Sequence, residues 1–169
     1  MANILIDGYN LIGIAHTDLE KARQELIRKL FNYSNAKGHD ITLVFDGWKN
    51  GQRDETHSKV GNVTVIYSKL GEKADFVIKK ILSSAAKPWI VVSSDREISD
   101  FAERKDFAAL TADEFGGKLY SSTARQSKTE QAPAYDKDDD MDLIPARQRG
   151  NPRKPSKKEK KKIEALRKL

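Results

Sequence analysis

At 169 residues the chain holds one domain of ordinary size, about 100 to 150 residues, plus an extension. It contains no cysteine, which excludes disulfides and thiolate metal sites; with no apolar run near 18 residues and no apolar leader at its start, the expectation is a soluble cytoplasmic protein with no membrane partner. The net charge of +6 is unevenly spread: residues 147–169 carry 11 of the 31 Lys and Arg against Glu159 and Glu164, a net of +9, while the rest holds 20 basic and 23 acidic side chains, a net of −3.

In chain order, residues 3–6 read as a buried strand. Thr17-Asp18-Leu19-Glu20 has the form of a capping box, and Leu19, Ala22, Leu26, Leu30 and Phe31 recur at helical spacing until Gly38 offers a stop. A second strand spans 41–45. Residues 47–61 are polar and carry three glycines, which predicts a mobile loop at the mouth of the sheet. A third strand follows at 63–67, then a helix marked by Ala74, Val77, Ile78, Ile81 and Leu82. A fourth strand covers 89–92, and Ser94-Asp95-Arg96-Glu97 predicts a capped helix over 96–104. A short strand at 107–110 leads into Thr111-Ala112-Asp113-Glu114, a third capping box, and a helix reaching Gly116 or beyond.

Strands alternating with helices predict an α/β fold with a mostly parallel sheet covered on both faces. After about Ser122 the apolar periodicity stops. Residues 123–169 read as a disordered tail, an acidic cluster followed by a basic segment, whose last piece from Ser156 has the pattern of a short helix with Ile163, Leu166 and Leu169 on one side.

Four acids fall where strands end or a helix begins: Asp7, Asp46, Asp75 and Asp95. In an open parallel sheet such positions converge in the crevice beyond the carboxyl ends of the strands. Clustered carboxylates repel one another unless a cation neutralises them, and oxygen ligands without His or Cys suit Mg²⁺ or Mn²⁺ rather than zinc. Each acid also has a plainer reading: Asp46-Gly47 is a turn signal, and Asp75 and Asp95 are placed to favour a helix start. The histidines, His16, His39 and His57, show no ligand spacing and read as surface residues. Trp48, Lys49 and Arg53, on the polar loop, combine an aromatic face with two cations, the mixture that stacks a base and holds a phosphate; an exposed loop with Trp48 folded inward fits them equally.

The segments Ile6-Asp7-Gly8-Tyr9-Asn10-Leu11-Ile12, Val44-Phe45-Asp46, Ser68-Lys69-Leu70-Gly71-Glu72-Lys73-Ala74-Asp75 and Val92-Ser93-Ser94-Asp95-Arg96-Glu97 together resemble the YacP-like branch of the NYN family of PIN-like ribonucleases, over roughly residues 3–120. The resemblance implies a PIN-like three-layer sandwich over residues 1–122, an acidic pocket at the carboxyl edge of the sheet, and cleavage of single-stranded RNA with Mg²⁺ or Mn²⁺. It places Asp7, Asp75 and Asp95 as metal ligands, with Asn10 and Asp46 orienting water or a ligand. One position departs from the pattern: the helical turn after Asp75, where the family often has a further Glu, carries Lys79 and Lys80 here, and Lys79 becomes a candidate RNA contact.

The expected function is a metal-dependent endoribonuclease, with RNA as partner and the basic tail as a route to the ribosome through counterion release. The rival is a non-catalytic RNA-binding or ribosome-associated module on the same fold. A phosphatase of the haloacid dehalogenase type fits poorly, because its second Asp would stand where Tyr9 is.

Overall fold

A computed structural model of the chain describes residues 1–13, 18–47, 54–126 and 155–169. Six strands, β1 (Asn3–Asp7), β2 (Asp40–Phe45), β3 (Thr56–Val60), β4 (Val63–Tyr67), β5 (Trp89–Val92) and β6 (Ala108–Leu110), form one sheet in the order β3-β4-β2-β1-β5-β6. All neighbours are parallel except β3, which runs antiparallel to β4. The helices are α1 (Gly8–Ile12), α2 (Leu19–Lys37), α3 (Ala74–Ser83), α4 (Arg96–Arg104), α5 (Ala112–Gln126) and α6 (Lys157–Lys168).

The alternation along each strand sorts residues into two cores. Ile4, Ile6, Leu43, Phe45 and Val92 pack with Leu26, Leu30 and Tyr33 of α2, Phe115 and Leu119 of α5 and Ala165 of α6. Leu5, Val44 and Val91 face the other way, against Val77, Ile78 and Leu82 of α3 and Ile98 and Ala102 of α4. Successive strand residues point to opposite faces, so strands buried on both sides must be apolar throughout. The result is the expected three-layer sandwich. No described helix is long and apolar enough to cross a membrane.

Three sequence expectations change. The loop predicted over 47–61 contains β3, whose residues are almost all exposed; with no buried face its side chains lack the alternation that announces a strand, and β4 holds it through backbone pairing. His39 is buried at 3% exposure beside the Tyr33 ring, and burial lowers the pKa of its imidazole; His57 is exposed and pairs with Glu55 at 2.7 Å. His16 lies outside the described residues.

The third change concerns the tail. Residues 127–154 lie outside the described residues, but the end of the chain is ordered: α6 is capped by Ser156 and Glu159 in a reciprocal box, with bonds of 3.2 and 2.6 Å. Ala165 and Leu169 are buried, Leu166 packs on the first core, and the Tyr33 hydroxyl donates to the Leu169 carbonyl at 3.1 Å. Ile163, expected on the same side, is 52% exposed. Composition misleads here because the lysines have acidic partners on the domain: Lys158 with Glu103 at 2.8 Å, Lys157 with Asp106 at 3.4 Å, Lys161 with Asp106, and Lys162 with Glu114 at 2.7 Å.

Candidate functional site

The strand order reverses at β1, with β2 on one side and β5 on the other, so the crevice at their carboxyl ends is where an open α/β sheet receives a ligand. Asp7 ends β1, Asp46 follows β2 directly, and Ser93 and Asp95 follow β5. Asp75 reaches the same edge from the first turn of α3.

Asp7 is 5% exposed. Its carboxylate is the N-cap of α1, accepting from the Asn10 backbone N–H at 3.4 Å (Oδ1) and the Asn10 side-chain amide at 2.6 Å (Oδ2). The Ser93 hydroxyl donates to Oδ2 at 3.4 Å. Burial raises the Asp7 pKa above its ordinary value of 3.8; the two Asn10 bonds pull it down, and the charges of Asp75 and Asp46 push it up. Gly8 is required by packing: a Cβ there would stand 2.2 Å from the Phe45 ring, so only glycine lets α1 turn this tightly after the acid.

Asp46 performs a structural task that its position in the sequence does not announce. Its Oδ1 accepts from the Ala74 backbone N–H, tying the end of β2 to the start of α3, whose own N-cap residue Lys73 makes no side-chain cap. The following Gly47 lies against the next loop, where a Cβ would stand 1.7 Å from the Ser68 carbonyl oxygen, and its N–H donates to Ser68 Oγ at 2.9 Å. Asp75, one residue into α3, receives no hydrogen bond from a described residue. Burial raises its pKa, followed by the charge of Asp95; Lys79 lowers it, and Asp46 and Glu97 raise it.

Asp95 caps α4, accepting from the Glu97 N–H at 2.6 Å; the helix begins at Arg96 as expected, with Asp95 rather than Ser94 as its cap. Its own N–H donates to Ser93 Oγ at 3.1 Å. Ser93, 1% exposed, therefore links Asp7 to Asp95; it stands inside the recognised segment but reads there as an ordinary strand-end serine. Lys79, one turn beyond Asp75, pairs with Glu97 of α4. Arg23 of α2, 4% exposed, was also illegible: it donates to the Tyr9 hydroxyl at 3.4 Å, pairs with Glu20 and lies 5.9 Å from the Tyr67 ring centre. Trp48, Lys49 and Arg53 lie outside the described residues.

Among the described residues no three carboxylate or imidazole groups stand together as a closed metal shell. Asp95 and Asp46, like Asp7, each accept from a backbone amide at a helix start. Asp7 and Asp75 are oxygen donors whose charged forms are both disfavoured by burial and by acidic neighbours. That donor set fits Mg²⁺ or Mn²⁺, which bind through one or two carboxylates and keep water or phosphate oxygens in the remaining positions, and does not fit an all-protein cage.

Comparison with known proteins agrees with the fold. A YacP-like NYN domain profile matches residues 4–168. An uncharacterized protein, YacP, of Bacillus subtilis (strain 168) is 33% identical over 104 residues, which span 54% of this chain and 59% of that relative. The crystal structure of Rae1 (YacP) from Bacillus subtilis superimposes with a TM-score of 0.60 at 26% identity, covering 76% of this chain and 79% of that one. A tryptophan-to-leucine variant of the same protein gives 0.59 at 24% identity, covering 77% and 87%. The profile match takes in the acidic edge and α6 alike, and the chain belongs to the YacP-like NYN domain family.

Proposed function

We propose that this chain is a metal-dependent endoribonuclease that hydrolyses phosphodiester bonds in single-stranded RNA in the cytoplasm. The observation that carries the reading is the placement of a buried, pKa-raised Asp7 at the switch point of the sheet, with Asp75 in electrostatic reach. A fold keeps two unfavourable charges at one edge when they bind something positive, and perturbed acids in a cleft mark functional sites. The family membership supports a nuclease-type domain.

Asp7 and Asp75 would hold Mg²⁺ or Mn²⁺, which supplies charge neutralisation at the phosphoryl oxygens and activation of water when bound. Asn10 fixes the Asp7 carboxylate through two donors, and Ser93 donates to the same Oδ2 as the Asn10 amide. Asp46 sets the start of α3 and hence the position of Asp75. Asp95 contributes charge from the far side and takes its place through Ser93. RNA is the partner, and the positive charge carried by 147–154 in the sequence would attract it, or the ribosome, without reading sequence. The lysines of α6 named above are matched by acids instead.

The rival, a non-catalytic RNA-binding module, is favoured by one observation, Lys79 beside Asp75 where a further acid would complete a shell. End-labelled single-stranded RNA incubated with Mn²⁺, Mg²⁺ or EDTA, beside Asp7→Asn, separates the two. Metal-dependent cutting lost in the variant is expected; binding without cutting under every condition would favour the rival.

A further inference from the structure

The apolar stripe of α3 that packs on the sheet is Ala74, Val77, Ile78, Ile81 and Leu82. Phe76 is outside it, 59% exposed, immediately after Asp75 and joined to neither core. It lines an open cavity of about 580 Å³ with Leu70, itself 55% exposed, with Lys69, Lys73 and Lys79, and with the acids Glu72, Asp75 and Glu97. Lys69 is matched by Glu72 at 3.6 Å and Lys79 by Glu97, whereas Lys73 forms no ion pair with a described residue. An unpacked aromatic ring, an apolar neighbour and an unmatched cation thus stand together at the mouth of the acidic site.

The geometry points to a subsite in which the ring of Phe76 stacks an unpaired base of single-stranded RNA while Lys73 receives a backbone phosphate, holding the strand beside Asp75. Every base has a face that can stack, so such a subsite selects unpaired strands over duplex without choosing a sequence. The other aromatic cavity bordering this edge, between α1, α2 and α5, is a poorer platform, because the Lys29 ammonium already lies 5.2 Å from the centre of the Tyr120 ring. The inference rests on the endoribonuclease reading and adds to it how the strand is held.

The test uses the full chain in EDTA with a single-stranded RNA oligonucleotide carrying 2-aminopurine, reading affinity by anisotropy and stacking by fluorescence quenching. Phe76→Ala is expected to weaken binding about tenfold and to remove the quench, with Phe76→Trp restoring both. The same RNA as a duplex should bind both variants alike. Phe76→Ala binding and quenching like the parent, while the parent cuts RNA with Mn²⁺, would overturn the subsite and leave the nuclease standing. A parent that neither binds nor cuts RNA would overturn the nuclease reading and the subsite with it. Because Phe76 packs in neither core, thermal unfolding of Phe76→Ala should match the parent, so a loss of binding is not a loss of fold.

Discussion

Asn10 donates twice to Asp7, from its side chain at 2.6 Å and from its backbone at 3.4 Å. These two bonds oppose the desolvation that raises the Asp7 pKa. Replacing Asn10 with Ala removes the side-chain bond and leaves the backbone bond and that from the Ser93 hydroxyl, both 3.4 Å, so the carboxyl pKa rises further. The acid limb of the cleavage profile in Asn10→Ala should move to higher pH, read from cleavage rates across pH 4 to 8. An unmoved limb accompanied by a uniform drop in rate would mean that Asn10 acts on the substrate rather than on Asp7.

Stability should report the same buried charge. The folded-state pKa of Asp7 lies above its unfolded value of 3.8, so the stability linked to its neutral form is fully present below that value and lost as pH rises through the folded value. Asp75 has the same sign. Asp7→Asn is neutral at every pH and keeps an oxygen for Asn10. It is expected to unfold at a higher temperature than the parent at pH 7 and at the same temperature near pH 3. A variant less stable than the parent at pH 7 would mean that lost hydrogen bonds outweigh the relieved charge.

Asp46→Ala separates two contributions. Loss of the cap on Ala74 should cost on the order of 0.5 to 2 kcal/mol, measured by urea unfolding. Loss of its charge should lower the Asp7 and Asp75 pKa values, moving the acid limb of the cleavage profile to lower pH, opposite to Asn10→Ala. A stability loss without any shift of the profile would assign Asp46 to structure alone.

Leu169→Ala tests whether α6 belongs to the domain. The side chain is 5% exposed and its carbonyl is held by Tyr33, so the substitution should cost about 2 kcal/mol, near the low end for a buried leucine. A mutational cost near zero would mean that the end of the chain frays from the core. Raising salt from 0.05 to 0.5 M should weaken α6 only modestly, because each of its ion pairs to the domain is at least partly open to solvent.

The sequence carried the sheet well because β1, β2, β4 and β5 are largely buried on both faces and read as apolar runs, interrupted only by Thr42 and Thr64. It carried β3 and α6 poorly. The first is held by backbone pairing that leaves no mark on residue type, and the second by charge pairs whose partners lie more than forty residues away. At the site, the acids were legible by their places at strand and helix ends. The division of labour among them was not, because whether a carboxylate faces a helix amide or the crevice depends on how two elements meet, as Asp46 meets Ala74 across 28 residues. Ser93 stayed hidden for the same reason: its hydroxyl matters only once β1 and β5 lie side by side.

The sheet ends differently on its two sides. Helix α6 packs against β6, whereas β3 is mostly exposed and, among the described elements, pairs only with β4. An unpaired strand edge is a template for another strand. Two copies meeting β3 to β3 about a twofold axis would use up that edge in both molecules.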